Sequence, residues 1–135
     1  MALSKQTAPL DSALEDKKSI LVVDDEALIR ELVKDILADD YNVLLAKDGE
    51  DGLKLYRTHA SKIVALVTDL IMPKMRGDKL LEVIRQDAPT LPVIVITGYE
   101  REIDIQKFNS DSKVVVMQKP FSVAKLLSVI ENFVS

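Results

Sequence analysis

With 135 residues, a formal charge of -4, and 47% hydrophobic against 30% charged residues, the chain has the size and composition of one globular domain with a substantial core. The negative balance offers no general attraction to nucleic acid or to anionic membranes, and no apolar run approaches the ~18 residues needed to span a bilayer. The absence of cysteine excludes disulfides and thiolate chemistry and fits a reducing cytoplasm.

Residues 1–18 mix Ser, Thr, Pro, Asp and Lys with scattered apolar side chains and predict a flexible tail or linker, in which SALEDKK could form a frayed helical turn. From Ser19 to Ser135, short apolar runs alternate with segments of helical period. The runs are SILVV (19–23), YNVLLA (41–46), IVALV (63–67), PVIVI (92–96) and VVVM (114–117). Each is apolar on both faces, as in strands of a parallel sheet covered by helices on both sides. After the first run, Leu28, Ile29, Leu32, Val33, Ile36 and Leu37 form one apolar stripe, with Arg30, Glu31, Lys34 and Asp35 outside it. Leu53 and Tyr56, then Leu80, Leu81 and Ile84, then Val123, Leu126, Leu127 and Ile130 repeat the pattern. A weaker helix is expected near 100–108, with only Ile103, Ile105 and Phe108 to anchor it. The result is an α/β chain of (βα)5 order. Right-handed crossovers make it a doubly wound parallel sheet, with sites at the carboxyl ends of the strands.

The residues at those ends are Asp24 and Asp25, Asp69, Thr97 and Lys119. In a flavodoxin-like strand order 2-1-3-4-5, the first and third strands are neighbours, so three carboxylates share a crevice. Like charges within about 4–6 Å raise one another's pKa, so the crevice calls for a counter-charge. Lys119 and a hard divalent cation such as Mg²⁺ both suit an oxygen-rich site, whereas the lone His59, at a helix end, gives zinc or copper little to bind. Carboxylates, a hydroxyl, a lysine and Mg²⁺ are the parts of phosphoryl transfer, and an aspartate could itself become the covalent phosphoryl carrier.

ILVVDDE, VTDLIMPKMRGDKLL, VIVITGY and MQKPF, in this order and spacing, strongly resemble the receiver domain of bacterial two-component response regulators. The resemblance spans residues 19–135 and implies a signalling domain rather than a metabolic enzyme. It implies that Asp69 accepts a phosphoryl group from a histidine kinase or phosphotransfer protein and that the domain then switches conformation to control an output domain or partner. It further implies that Asp24, Asp25 and Asp69 hold Mg²⁺ with the backbone carbonyl of Ile71, Asp25 directly and Asp24 through water. Thr97 and Lys119 would contact the phosphoryl group, Gly98 would let the backbone approach it, and Pro120 would follow a cis peptide bond. TGY and the unusual fifth strand lean towards a receiver from a hybrid histidine kinase.

Each residue also has a plainer explanation. Asp25 could cap a helix, Asp69 could form a turn before Pro73 and Gly77, Lys119 could be a surface lysine and Thr97 a strand residue. Their joint placement at one sheet edge favours chemistry. A Mg²⁺-dependent aspartyl-phosphate phosphohydrolase of the haloacid dehalogenase-like kind would place Asp-x-Asp after its first strand, where this chain has Asp24-Asp25-Glu26. A flavodoxin-like nucleotide binder would not place three acids there. A degenerate receiver serving only as an interaction module would lack some of these residues.

The chain departs from the receiver pattern at Val116, where an aromatic residue is usual. Valine is short and stiff at χ1 and cannot swing as an aromatic would. Tyr99, or a shift of the weak fourth helix, is expected to carry the signal instead. Ile71 and Tyr99 are expected to overhang the phosphoryl group and slow its hydrolysis.

Overall fold

The structure, a computed structural model, describes residues 17–98 and 105–134. Its elements are β1 (Ser19–Val23), α1 (Ala27–Leu37), β2 (Asn42–Ala46), α2 (Gly49–His59), β3 (Ile63–Asp69), α3 (Gly77–Asp87), β4 (Val93–Thr97), β5 (Val114–Gln118) and α4 (Val123–Val134). All strand pairs are parallel and the sheet order is β2-β1-β3-β4-β5. This is the flavodoxin-like arrangement that alternating apolar runs and helical stripes predict.

Two apolar layers follow from the period-2 alternation along the strands. Leu21, Val23, Leu66, Val93 and Val95 face α2 and α3, meeting Tyr56, Leu80, Leu81 and Ile84. Ile20, Val22, Ala65, Val67, Ile94 and Ile96 face the other way, onto Val33 and Leu37 of α1 and Leu126 and Ile130 of α4. β1 and β4 are buried throughout, while the edge strands β2 and β5 are largely half-buried, so an apolar run on both faces does not require a central position.

Other differences from the sequence expectation have local causes. β3 extends two residues beyond the apolar run because the ladder with β4 continues through Thr68↔Val95 and Asp69↔Ile96, making Asp69 the last strand residue. Likewise Thr97 ends β4, paired with Gln118, and is not the residue after it. The α1 stripe is wider than the surface that covers it: Val33 and Leu37 are buried, but Leu28 is 85% and Leu32 41% exposed. Arg30, expected to point outward, instead folds back onto the backbone of Asp24. The helix expected near 100–108 falls partly outside the described residues. Its described end is helical at 105–106, with buried Phe108 in the turn that follows. Most of the expected tail also lies outside them, but Lys17 and Lys18 are tied to the start of β2 by Asn42.

Glycine is required at two places that position the β3–α3 loop. A Cβ on Gly77 would stand 2.0 Å from the carbonyl oxygen of Asp69, and one on Gly49 would stand 2.2 Å from that of Met75. The Gly77 amide also donates to the Leu70 carbonyl at 2.8 Å. The loop leaving Asp69 is thus folded tightly back under the strand end, with Met72 buried and Met75 packed on the core as apolar filling.

Candidate functional site

At the carboxyl edge of the sheet, β1 and β3 deliver their terminal acids side by side. Asp24 is buried; its Oδ1 accepts the Glu26 amide at 2.8 Å and its backbone carbonyl accepts Nη1 of Arg30 at 2.7 Å. Asp69 is buried too, and its Oδ1 accepts the Leu70 amide at 2.8 Å. Asp25 is exposed at the rim, and Asp24, Asp25 and Asp69 each offer a carboxylate oxygen within 4.8 Å of the others.

Lys119 enters from the next strands. Its amide donates to the Thr97 carbonyl at 2.6 Å, which extends the β4–β5 ladder by one step, and a cis peptide bond joins it to Pro120. Its ammonium donates to Asp69 Oδ2 at 3.2 Å and to Glu26 Oε1 at 3.0 Å. It also lies 3.4 Å from Asp24 Oδ2, close enough for charge attraction but without hydrogen-bond alignment, so that oxygen stays unsatisfied though buried. The Thr97 hydroxyl is the second buried polar group with no partner among the described residues. Unsatisfied buried polar atoms are rare and costly, and two at one sheet edge mark a site prepared for something else.

The electrostatics agree. Burial pushes the Asp69 carboxyl up to about 6; the neighbouring charge of Asp24 adds to this, and Lys119 and the Leu70 amide offset only part of it. Burial likewise raises Asp24 despite the Glu26 amide and Lys119. Lys119 is itself raised: burial opposes its charge, but the hydrogen bond to Glu26 and the charges of Asp24 and Asp69 outweigh it. One inward ammonium is shared among more carboxylates than it can neutralise. The oxygen set and the unbonded Asp24 Oδ2 fit a hard divalent cation, which would supply the missing charge.

A cavity of about 530 Å³ opens above these groups, and its walls include Glu26, Ile29, Leu32, Ile71, Gly98 and Lys119. Of the other residues singled out in the sequence, Pro120 is exposed beside the site and Val116 pairs with Val95 and packs on the α2–α3 core layer. Tyr99 lies outside the described residues. His59 falls in the last turn of α2, as expected of a side chain that complements the helix dipole. The contact that sequence reasoning missed is Glu26 with Lys119, 93 residues apart in the chain. The acidic run at 24–26 was visible, but Glu26 is sufficiently explained there by the positive end of α1.

Residues 20–131 match the family described as the response regulator receiver domain. The chain belongs to this family. The receiver is 32% identical over 130 residues to the sensor histidine kinase TmoS of Ectopseudomonas mendocina, covering 95% of this chain and 13% of that protein. It is 36% identical over 121 residues to the probable transcriptional regulator ycf27 of Guillardia theta, covering 87% and 45%. The chain thus spans less than half the length of these relatives. Among solved structures, a receiver domain protein from Clostridium thermocellum superimposes with a TM-score of 0.77 at 30% identity, over 87% of this chain and 94% of that one. The CheX–CheY–BeF3–Mg²⁺ complex of Borrelia burgdorferi gives 0.77 at 27% identity, over 87% and 90%.

Proposed function

We propose that this receiver takes a phosphoryl group from a phosphohistidine of a histidine kinase or phosphotransfer protein onto Asp69. The observation that carries this is the buried Asp69 carboxylate, 3.2 Å from the Lys119 ammonium and within the cluster of acid oxygens. A carboxylate oxygen of Asp69 bonds to phosphorus as the phosphorus–nitrogen bond breaks, and the electron pair leaves on the imidazole nitrogen. Asp24, Asp25, Asp69 and the backbone carbonyl of Ile71 would hold Mg²⁺, with Asp25 a direct ligand and Asp24 acting through water. When bound, Mg²⁺ supplies positive charge that keeps Asp69 ionised and offsets the charge of the incoming phosphoryl oxygens.

Lys119 follows its carboxylate partner, moving its hydrogen bond from Asp69 to a phosphoryl oxygen. The Thr97 hydroxyl, buried and without a partner among the described residues, donates to another. These contacts exist only in the phosphorylated state, so they bias the domain towards a second conformation that an output domain or partner protein reads. Because Val116 cannot provide an aromatic rotamer swing, that change is carried in the segment between β4 and β5 that contains Tyr99. Ile71, 47% exposed at the cavity wall, limits the access of water to the acyl phosphate and makes self-dephosphorylation slow.

Incubation with acetyl phosphate and Mg²⁺, followed by intact-mass and peptide analysis, tests the assignment. One phosphoryl group on Asp69, lost in Asp69→Asn and without Mg²⁺, is expected. No incorporation would favour a degenerate interaction module, and rapid turnover of small phosphate esters would favour a phosphohydrolase.

A further inference from the structure

Glu26 is in the N-cap position of α1, where an acidic side chain is favoured by the helix dipole, yet it makes no side-chain cap hydrogen bond. No acidic residue in the first turn of α1 substitutes for it. Its carboxylate turns instead to Lys119 and forms the shortest of the three carboxylate contacts of that ammonium, 3.0 Å against 3.2 Å to Asp69 and 3.4 Å to Asp24. The Glu26 side chain is 60% exposed and that of Lys119 18%, so the contact lies at the mouth of the cavity above Asp69.

An ammonium has three N–H donors; here two are given to Glu26 and Asp69, while Asp24 attracts the same charge from 3.4 Å without a hydrogen bond. An incoming phosphoryl group needs one of these donors and brings further negative charge to within reach of Glu26. We propose that Glu26 is a positioning residue that competes for Lys119: it holds the ammonium at the cavity mouth in the unphosphorylated receiver and must be displaced for a phosphoryl group to gain its full hold. The pairing thereby weakens the uptake of anionic phosphoryl groups and helps to keep the unmodified domain in its resting state. This rests on the assignment of Lys119 as the phosphoryl partner and adds to it a residue that opposes that partnership.

The test is titration of Mg²⁺-saturated full chain with beryllofluoride, an anionic phosphoryl mimic, followed by calorimetry, together with Lys119 ammonium NMR of the metal-free protein. Glu26→Gln removes the charge. Glu26→Asp keeps the charge but shortens the reach by about 1.5 Å, one carbon–carbon bond. If direct contact is what competes, both variants should bind beryllofluoride about fivefold more tightly, the scale of one partly exposed ion pair. Both should also shift the Lys119 signal without metal. In a Lys119→Met background, Glu26→Gln should give no gain. Tightening in Glu26→Gln but not in Glu26→Asp would reduce Glu26 to a general field effect and overturn the proposal, as would an unmoved Lys119 signal or an equal gain without Lys119. Failure of the wild type to take up beryllofluoride, or equal uptake by Asp69→Asn, would instead overturn the phosphoacceptor assignment beneath it.

Discussion

The two ends of the sheet handle charge in opposite ways. At the amino end, Arg85 of α3 reaches across to Asp111, with Nε 2.8 Å from Oδ2, and its Nη1 donates to the carbonyls of Ala88 and Leu91 at 2.9 and 2.8 Å. The hydrogen bond from Arg85 holds the Asp111 carboxyl below its ordinary range. At the carboxyl end, Asp69 and Asp24 are raised, Lys119 is divided among three acids, and two buried polar oxygens have no hydrogen-bond partner among the described residues. Cation and acid are matched at the amino end, which fastens the loops before β4 and β5. At the carboxyl end acids are in excess and two buried oxygens lack partners among the described residues, which suits the cation and phosphoryl group proposed above. Whether an ion pair serves structure or chemistry is therefore decided by whether its partners are satisfied, not by its presence.

Breaking the matched end should have the larger effect on the fold. Arg85→Ala leaves Asp111 with only the Lys113 amide and takes the guanidinium donor from the Ala88 and Leu91 carbonyls, and is expected to cost about 1–3 kcal/mol in urea unfolding at neutral pH, with phosphoryl uptake unchanged. The folded-state pKa of Asp111 is depressed, so its contribution is present above the ordinary value of 3.8 and lost as the pH falls through the depressed one. The wild-type advantage over Arg85→Ala should accordingly shrink on acidification. A variant as stable as wild type would show that the two ends do not differ in this way.

At the other end, Ile71→Asn is expected to admit water to the proposed acyl phosphate without touching the acids. The phosphoryl half-life should fall about 10-fold, a barrier change of ~1.4 kcal/mol. An unchanged half-life would remove the role given to the cavity wall.

Nearly all of the fold was legible because its signals are local: apolar runs of strand length, stripes of helical period, and the rule that sites lie at strand ends. The same rule brings Asp24, Asp69, Thr97 and Lys119 to one edge. What was not legible depends on neighbours distant in sequence. Periodicity places Leu28 and Leu32 on the apolar stripe of α1 but does not reveal how far the covering surface extends, and both are exposed. The end of β3 at Asp69 is set by its partner Ile96, not by its own hydrophobicity. Glu26 had an adequate local explanation as a helix-end acid, which concealed its contact with a lysine 93 residues away.

The excess of acid at the carboxyl end is tested most directly by urea unfolding of wild type and Asp69→Asn across pH, with and without Mg²⁺. Because burial raises Asp69 from 3.8 to about 6, its contribution favours the fold below the lower value and is lost as the pH rises through the upper one. Without metal, Asp69→Asn should be more stable than wild type by about 1–3 kcal/mol above pH ~7, with the difference vanishing towards pH ~4. Mg²⁺ should stabilise the wild type preferentially and close the neutral-pH gap. A wild type that is already the more stable protein at neutral pH without metal, and indifferent to Mg²⁺, would contradict a site held short of positive charge.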